Sequence, residues 1–188
     1  MTREIRFVGL CGSLRKASRN AGLLRFAAAH LPDGVSFERA EVGDLPFYNA
    51  DLAEKPAAVS RVVEQLRRAD ALVIACPEYN YSMAPALKNA LDWASREAES
   101  PLAGKPLAIM GAGGGMGTSR AQYHLRQTCV FLDLRPLNRP EVFSNAFGAA
   151  FNEAGDPVDE KLQALIRQQM QALAAAVRNQ PRGDGVLP

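Results

Sequence analysis

The sequence predicts an α/β fold in which a five-stranded parallel sheet is covered by helices on both faces. Short apolar runs of strand-like composition alternate with longer segments whose apolar residues recur at helical spacing. Residues 71–75 are apolar without alternation, which is typical of a strand buried on both faces of a parallel sheet. Because crossovers between parallel strands are right-handed, the intervening helices cover both sides of the sheet.

The first β-α unit occupies the N-terminal part of the chain. Residues 5–10 are β-branched and aromatic, as a buried strand is, and a loop of Gly, Ser and basic residues follows. Asn20 is predicted to cap a helix over residues 21–30, which the Pro-Asp-Gly segment at 32–34 ends. Residues 35–42 alternate apolar with polar side chains, as a strand near a sheet edge does.

The remaining elements continue the alternation. Ser119 and Asp159 are each predicted to cap a helix, the second of which ends near Arg178. Five strands and five helices form one predicted domain over residues 1–180, and residues 181–188 have the Pro and Gly content of a loose tail. The elements after the first unit are helices at 56–69, 85–94, 120–132 and 160–178, strands at 71–75, 107–110 and 141–143, and a glycine-rich loop at 112–118.

Composition argues against several functional classes. Lys and Arg total 22 against 20 Asp and Glu, so a net charge of +2 gives no broad field for binding nucleic acid. The three cysteines form no CxxC pair and only two histidines accompany them, a pattern that favours neither a disulfide framework nor a metal site. We find no signal-peptide pattern and no apolar run that could insert into a membrane, and therefore expect a cytoplasmic protein.

Three loops leave the carboxyl ends of predicted strands, where ligands bind in such sheets. The first, at residues 12–20, places Ser13, Arg15 and Ser18 at the start of a helix, where main-chain N–H groups and the helix dipole attract an anion. We interpret it as a phosphate site, with a solvated loop that only caps the helix as the alternative. It lacks the Gly-Lys-Ser/Thr ending of nucleotide triphosphatases, and the glycine run at 111–117 does not fit GxGxxG.

The second loop, predicted at residues 76–84, begins a segment that resembles a known family. Residues 77–93 resemble the PEYN, S, P and LKNALDW signature of the NADPH-dependent FMN reductase family, which includes chromate, quinone and azo-dye reductases. Residues 12–20 resemble that family's GSxRxxSxN phosphate loop, and residues 44–49 resemble its D-LP-Y segment. The resemblance implies a flavodoxin-like, three-layer fold with strand order 2-1-3-4-5 and FMN at the carboxyl edge of the sheet. Residues 84–86, Ala-Pro-Ala, depart from the Pro-Gly of many relatives.

The resemblance also implies which residues bind the cofactor. Glycines suit the ring side because they let the backbone approach a planar ring closely. The implied reaction passes a hydride from NADPH or NADH through FMN to a small acceptor such as a quinone, a flavin, an azo dye or chromate. The implied phosphate contacts are Ser13, Arg15, Ser18 and Asn20, and the implied ring contacts are Pro77, Glu78, Tyr79, Asn80, Ser82, Gly113, Gly114, Gly115 and Gly117.

Two other functions stay open at this point. One is a flavodoxin-type electron carrier, which usually has an acidic surface and a Thr-Gly-x-Thr loop, and the other is a flavin-binding scaffold with little turnover. The resemblance further implies a homodimer or homotetramer, for which the apolar loop at 43–51 is a candidate contact surface. Cys76 ends a buried strand, so we expect a small apolar filler there and not a redox group.

Overall fold

The computed structural model describes residues 3–180, which form eight strands and five helices. The strands are β1 (Ile5–Cys11), β2 (Val35–Ala40), β3 (Ala71–Ala75), β4 (Glu78–Tyr79), β5 (Ser82–Met83), β6 (Pro106–Gly113), β7 (Arg135–Pro136) and β8 (Val142–Asn145). The helices are α1 (Arg19–Ala29), α2 (Ala57–Arg68), α3 (Pro85–Ala94), α4 (Ser119–Leu132) and α5 (Glu160–Arg178). The loose tail predicted at 181–188 lies outside the described residues, and the single-domain assignment stays a prediction.

The main sheet is parallel and has the order β2-β1-β3-β6-β7, with β8 also paired to β6. This confirms the predicted fold class and the predicted order, with β6 as the fourth strand. The fifth position is shared, because β7 pairs with the start of β6 and β8 pairs with its end. The sheet therefore brings the carboxyl ends of β1, β3 and β6 to one edge.

Two apolar layers cover the sheet, as the pattern of β3 predicts. Leu72 and Ile74 of β3 pack with α2, α3 and α4 on one face. Ala71, Val73 and Ala75 point the other way and pack with α1 and α5. Successive side chains of a strand alternate between faces, so a strand that is apolar at every position needs a helical layer on each side.

The start of α1 differs from the prediction. Asn20 does not cap this helix: the N-cap is Ser18, whose Oγ accepts a hydrogen bond of 3.2 Å from the main-chain N–H of Ala21. The helix accordingly begins at Arg19, two residues earlier than predicted. Serine and asparagine are both good caps, and the side chain of Asn20 is engaged elsewhere, as described below.

The caps of the two C-terminal helices differ in outcome. Asp159 caps α5 as predicted, because its Oδ1 accepts a 2.8 Å hydrogen bond from the N–H of Leu162. Ser119 does not cap α4, since it is already helical and Thr118 occupies the cap position. The Thr118 hydroxyl accepts from the side chain of Gln122 at 3.1 Å and forms no capping bond with a main-chain N–H of the helix start. A carboxylate from another element serves this helix start, as the next subsection describes.

Two elements extend the predicted pattern near the sheet edge. Strand β6 continues to Gly113, three residues beyond the predicted strand end at 110, because residues 111–113 pair with β8. The expected loop at 76–84 contains the β4–β5 hairpin, whose two turn residues Asn80 and Tyr81 have φ of 50° and 67°. Positive φ at both turn positions is the geometry of a type I′ hairpin. No helix within residues 3–180 is long and apolar enough to span a membrane.

Candidate functional site

A partly open cleft lies at the carboxyl ends of β1, β3 and β6 and encloses about 180 Å³. Residues from all three predicted loops meet there, which the topology of a parallel sheet requires. Most of the predicted site residues line it: Ser13, Arg15, Ser18, Asn20, Pro77, Glu78, Tyr79, Gly113 and Gly114. The sequence reasoning missed four lining residues, which are Arg19, Ala112, Ala146 and Phe147.

The first wall of the cleft is the loop between β1 and α1. Ser13 and Ser18 are buried, at 5% and 3% exposure, whereas Arg15 is exposed. Neither Arg15 nor Arg19 forms an ion pair with any residue in the 3–180 range. The wall thus combines buried hydroxyls, a helix N-terminus and guanidinium groups that are not neutralised by the protein, which is a donor set suited to an anion.

Asn20 joins this wall to the sheet. Its Nδ2 donates to the carbonyl of Ala112 at 2.9 Å, and its Oδ1 accepts from the N–H of Ala112 at 3.0 Å. Asn20 is 5% exposed, so the amide satisfies the main chain of β6 inside the protein. This pair of hydrogen bonds fixes the spacing between the α1 start and the glycine loop, while a direct phosphate contact from Asn20 stays a prediction.

The second wall is the β4–β5 hairpin, which an ion pair holds against α4. The Glu78 side chain is only 7% exposed, and its Oε1 accepts from Arg120 Nε at 2.7 Å. Its Oε2 accepts from the N–H of Ala121 at 3.2 Å, so this carboxylate supplies the hydrogen bond that Thr118 does not. The Arg120 guanidinium also lies 3.7 Å from the centre of the Tyr81 ring. These contacts with α4 therefore hold the hairpin in place.

The third wall is the glycine loop after β6, where the glycines differ in role. A Cβ on Gly113 would lie 2.2 Å from the carbonyl oxygen of Gly117, so Gly113 allows two stretches of backbone to approach. A Cβ on Gly114 would meet no atom within 4 Å, because Gly114 borders the open cleft. A planar group can therefore lie against the backbone at Gly114.

Four predicted site residues lie outside the wall of the cleft. Asn80 forms the hairpin turn, and Ser82 Oγ lies 3.1 Å from Nδ1 of the exposed His124. Gly115 and Gly117 lie further along the glycine loop, where Gly117 has a φ of 60°. Their predicted ring contacts stay predictions.

The signature residues of α3 support a neighbouring loop instead of the cleft. Asn89 Nδ2 donates to the carbonyl of Pro46 at 2.9 Å, and its Oδ1 accepts from the N–H of Tyr48 at 2.9 Å. Trp93 Nε1 donates to the same Pro46 carbonyl at 2.8 Å. Through these hydrogen bonds, Asn89 and Trp93 hold the loop at residues 43–51, which is some forty positions earlier in the chain and was predicted as a contact surface. In that loop Phe47 is exposed and Tyr48 packs on the core.

The cysteines of the described chain are buried and free. Burial, and to a smaller extent the nearby charge of Glu78, raises the pKa of the Cys76 thiol to about 12. Burial likewise raises the pKa of Cys129 to about 12. Within residues 3–180 no group of three or more His, Cys, Asp or Glu is placed to hold a metal ion.

Comparison with known proteins agrees with this architecture. The family model described as NADPH-dependent FMN reductase matches residues 5–149. The chain belongs to this family. An NAD(P)H-dependent FMN reductase from Pseudomonas aeruginosa is 52% identical over 181 residues, which are 95% of this chain and 98% of the relative. The FMN reductase assignment makes this chain an FMN-dependent NAD(P)H oxidoreductase.

Two further relatives extend this FMN reductase comparison. A quinone reductase from Escherichia coli is 40% identical over 166 residues, which are 85% of this chain and 88% of the relative. The solved structure of a flavoenzyme NAD(P)H:(acceptor) oxidoreductase from Paracoccus denitrificans superposes with a TM-score of 0.84 at 30% identity. That alignment covers 93% of this chain and 97% of the other.

The cleft of this FMN reductase has the chemical features that FMN requires. Arg19 Nε is buried and has no hydrogen-bond partner among the described residues, which leaves a donor for an anionic group at the α1 start. Gly114 leaves space for a flat group in the same cleft. A phosphate needs the first feature and an isoalloxazine ring needs the second.

Proposed function

We propose that this cleft holds FMN with its phosphate at residues 12–20 and its ring between the β4–β5 hairpin and Gly114. One observation carries the proposal: the buried hydroxyls, the helix start, the hairpin and the glycine loop line a single cleft. A phosphate and a planar ring on one ligand would meet complementary walls there. The proposal gives a side of the cleft to each of the nine predicted site residues that line it.

Bound FMN would accept a hydride from NAD(P)H and donate the electron pair to a second substrate. The protein would then bind FMN and orient it. Arg15 and the α1 N-terminus offset the charge of the phosphate, while Ser13 and Ser18 supply hydroxyls beside it. Glu78 is engaged by Arg120 and by the main chain of α4, so its role in this proposal is to hold the hairpin in place.

For the second substrate we propose a small quinone. The cleft volume of about 180 Å³ is below the roughly 300–1,000 Å³ of pockets that enclose a drug-sized ligand, so part of a bound flavin would remain accessible. Tyr79 and Phe147 line the cleft and are 43% and 81% exposed, which offers aromatic surface to a flat ligand. Several relatives are named as quinone reductases, which supports the same class of acceptor.

A steady-state experiment tests this proposal. One open cleft would be used by NAD(P)H first and by the quinone second, so varying both substrates should give the parallel double-reciprocal lines of a ping-pong reaction. Flavin extracted from the same preparation should be FMN. Intersecting lines would require both ligands to bind together, and a preparation that oxidises NAD(P)H without reducing quinone would remove the quinone proposal.

Several finer assignments stay predictions. Chromate and azo dyes are alternative acceptors, which the same assay compares by their kcat/KM values. A flavodoxin-type carrier would instead exchange electrons with protein partners and oxidise NAD(P)H slowly. The net charge of +2 favours the enzyme, because flavodoxin-type carriers usually have an acidic surface. Sedimentation velocity tests the predicted homodimer or homotetramer.

A further inference from the structure

Arg19 occupies a position that is unfavourable for a cation unless an anion is near. It is the first residue of α1 and follows the N-cap Ser18, where the helix dipole presents its positive end. Its Nε is buried and has no hydrogen-bond partner among residues 3–180. A buried donor without a partner is rare in folded proteins and costs free energy. The described residues offer no hydrogen-bond or ion-pair partner that would offset either feature.

An anion at the α1 start would remove both penalties at once. Arg19 lines the same cleft as Ser13 and Arg15, which form the proposed phosphate wall. We propose that Arg19 is a second guanidinium ligand for the phosphate monoester of FMN and makes the protein select FMN over unphosphorylated riboflavin. This inference rests on the proposed placement of FMN in the cleft. Two guanidinium groups on one dianionic phosphate are chemically matched in charge and in donor geometry.

The two arginines differ in how they are held. Arg15 belongs to an exposed stretch of loop, whereas the main chain at Arg19 is fixed by the helix and by a neighbouring turn. That turn packs closely, because a Cβ on Gly155 would lie 2.9 Å from the carbonyl of Ser18 and 3.1 Å from the N of Arg19. A ligand group on a fixed backbone loses little freedom on binding, so Arg19 is the better organised of the two.

NADPH also carries a phosphate monoester, on its adenosine ribose, and is the other source of the same chemistry. The geometry favours FMN. Arg19 Nε is buried at the start of the helix beside Ser18, which is 3% exposed, whereas a second substrate that enters and leaves would meet the outer part of the cleft. The experiment therefore tests the phosphate of FMN and the phosphate of NADPH in separate measurements.

The test uses the full chain stripped of flavin and titrated with FMN or riboflavin while flavin fluorescence is followed. Arg19→Gln should raise the Kd for FMN about tenfold or more, the size of one charge-assisted hydrogen bond. It should leave the Kd for riboflavin unchanged. Lys16→Gln is the matched control, because Lys16 is an exposed cation in the same loop and does not line the cleft.

Thermal unfolding of the stripped protein separates a ligand from a structural residue. Arg19→Gln should leave Tm unchanged or raise it, because the substitution removes a cation from the positive end of the helix dipole. A lowered Tm of the stripped protein, with FMN and riboflavin affinities falling together, would show that Arg19 serves the fold and would overturn the inference.

Two further outcomes distinguish the failure of this inference from the failure of the proposed FMN site. If Arg15→Gln weakens FMN binding while Arg19→Gln behaves like Lys16→Gln, the site stands and the role of Arg19 is wrong. If the unsubstituted protein binds FMN no better than riboflavin, the phosphate placement itself is wrong. A variant that raises the KM for NADPH but not for NADH, at unchanged FMN affinity, would assign Arg19 to the nicotinamide substrate and overturn its assignment to FMN.

Discussion

Two walls of the cleft, the loop before α1 and the β4–β5 hairpin, use arginine in opposite ways. On the phosphate side, Arg15 and Arg19 have no ion-pair partner within residues 3–180. On the hairpin side, Arg120 donates to the Glu78 carboxylate and lies over the Tyr81 ring. The guanidinium groups of the first wall thus remain available to a ligand. The guanidinium group of the second wall stabilises the wall itself.

The difference follows from what each half of the proposed cofactor requires. A phosphate is recognised by charge and by donors, so its loop has to leave charge unneutralised. A planar ring is positioned by backbone, so the hairpin has to be rigid even though Asn80 and Tyr81 both have positive φ. Such a conformation is unfavourable for tyrosine and persists where surrounding contacts enforce it. The stacked Arg120 is such a contact.

The largest expected effect comes from Arg120→Ala. It leaves the Glu78 carboxylate buried without its cation, so the free energy of unfolding should fall by about 3 kcal/mol. FMN should also dissociate faster, because the hairpin loses one of its attachments to α4. Urea unfolding of the stripped protein and the rate of flavin release measure the two effects.

Arg61→Ala is the matched control for this substitution. Arg61 is an exposed arginine of α2 and does not line the cleft, so its replacement should change stability by less than about 0.5 kcal/mol. If Arg120→Ala were as stable as this control, the ion pair would contribute nothing and the contrast between the two walls would disappear.

Arg15→Ala should produce the opposite pattern and a smaller effect. Binding of FMN should weaken by about 2 kcal/mol, which is the scale of a hydrogen bond to a charged group. The stability of the stripped protein should not change, because Arg15 is exposed and has no ion-pair partner in the described part of the chain. Isothermal titration and urea unfolding of one preparation give both numbers. A loss of stability with unchanged FMN affinity would reverse the assignment of the two walls.

Much of the fold was predictable because it depends on local pattern. The limits of β3 and α3 match the prediction, since β3 is apolar throughout and Pro85 suits a first helical turn. The β4–β5 hairpin was missed because strands of two residues carry no periodicity, and Tyr81 stands where a type I′ turn normally has glycine. Its stabilising partner, Arg120, is 39 positions away in the sequence.

The site was predictable to the extent that topology brings loops together. Three loops after parallel strands must meet at one edge, and they do. What each side chain contacts was not predictable: Asn20 bonds to Ala112, 92 positions away, and Glu78 bonds to the start of α4. Phe147 follows a short strand in a loop without a motif, so no local signal marked it as a lining residue.

The smallest expected effect concerns Cys76, which lies at the start of the hairpin wall. The thiol is fully buried, and its main-chain N–H donates to the carbonyl of Met110 at 2.8 Å. Burial raises its pKa to about 12, so at pH 8 about one thiol in ten thousand is ionised. Because the thiolate is the reactive form, iodoacetamide should leave Cys76 unmodified in the native protein, as mass spectrometry of the digested chain would report.

The unfolded protein provides the control, because all three cysteines should then be alkylated. The raised pKa also fixes the sign of a pH effect: the native state holds its proton while an unfolded thiol, with an ordinary pKa of 9.0, loses it. Its contribution to stability is therefore complete below pH 9 and declines as the pH rises from 9 toward 12. Rapid alkylation of native Cys76 at pH 8 would mean that the hairpin wall carries a reactive group. That wall would then take part in chemistry directly, and its description as a self-stabilised support would be wrong.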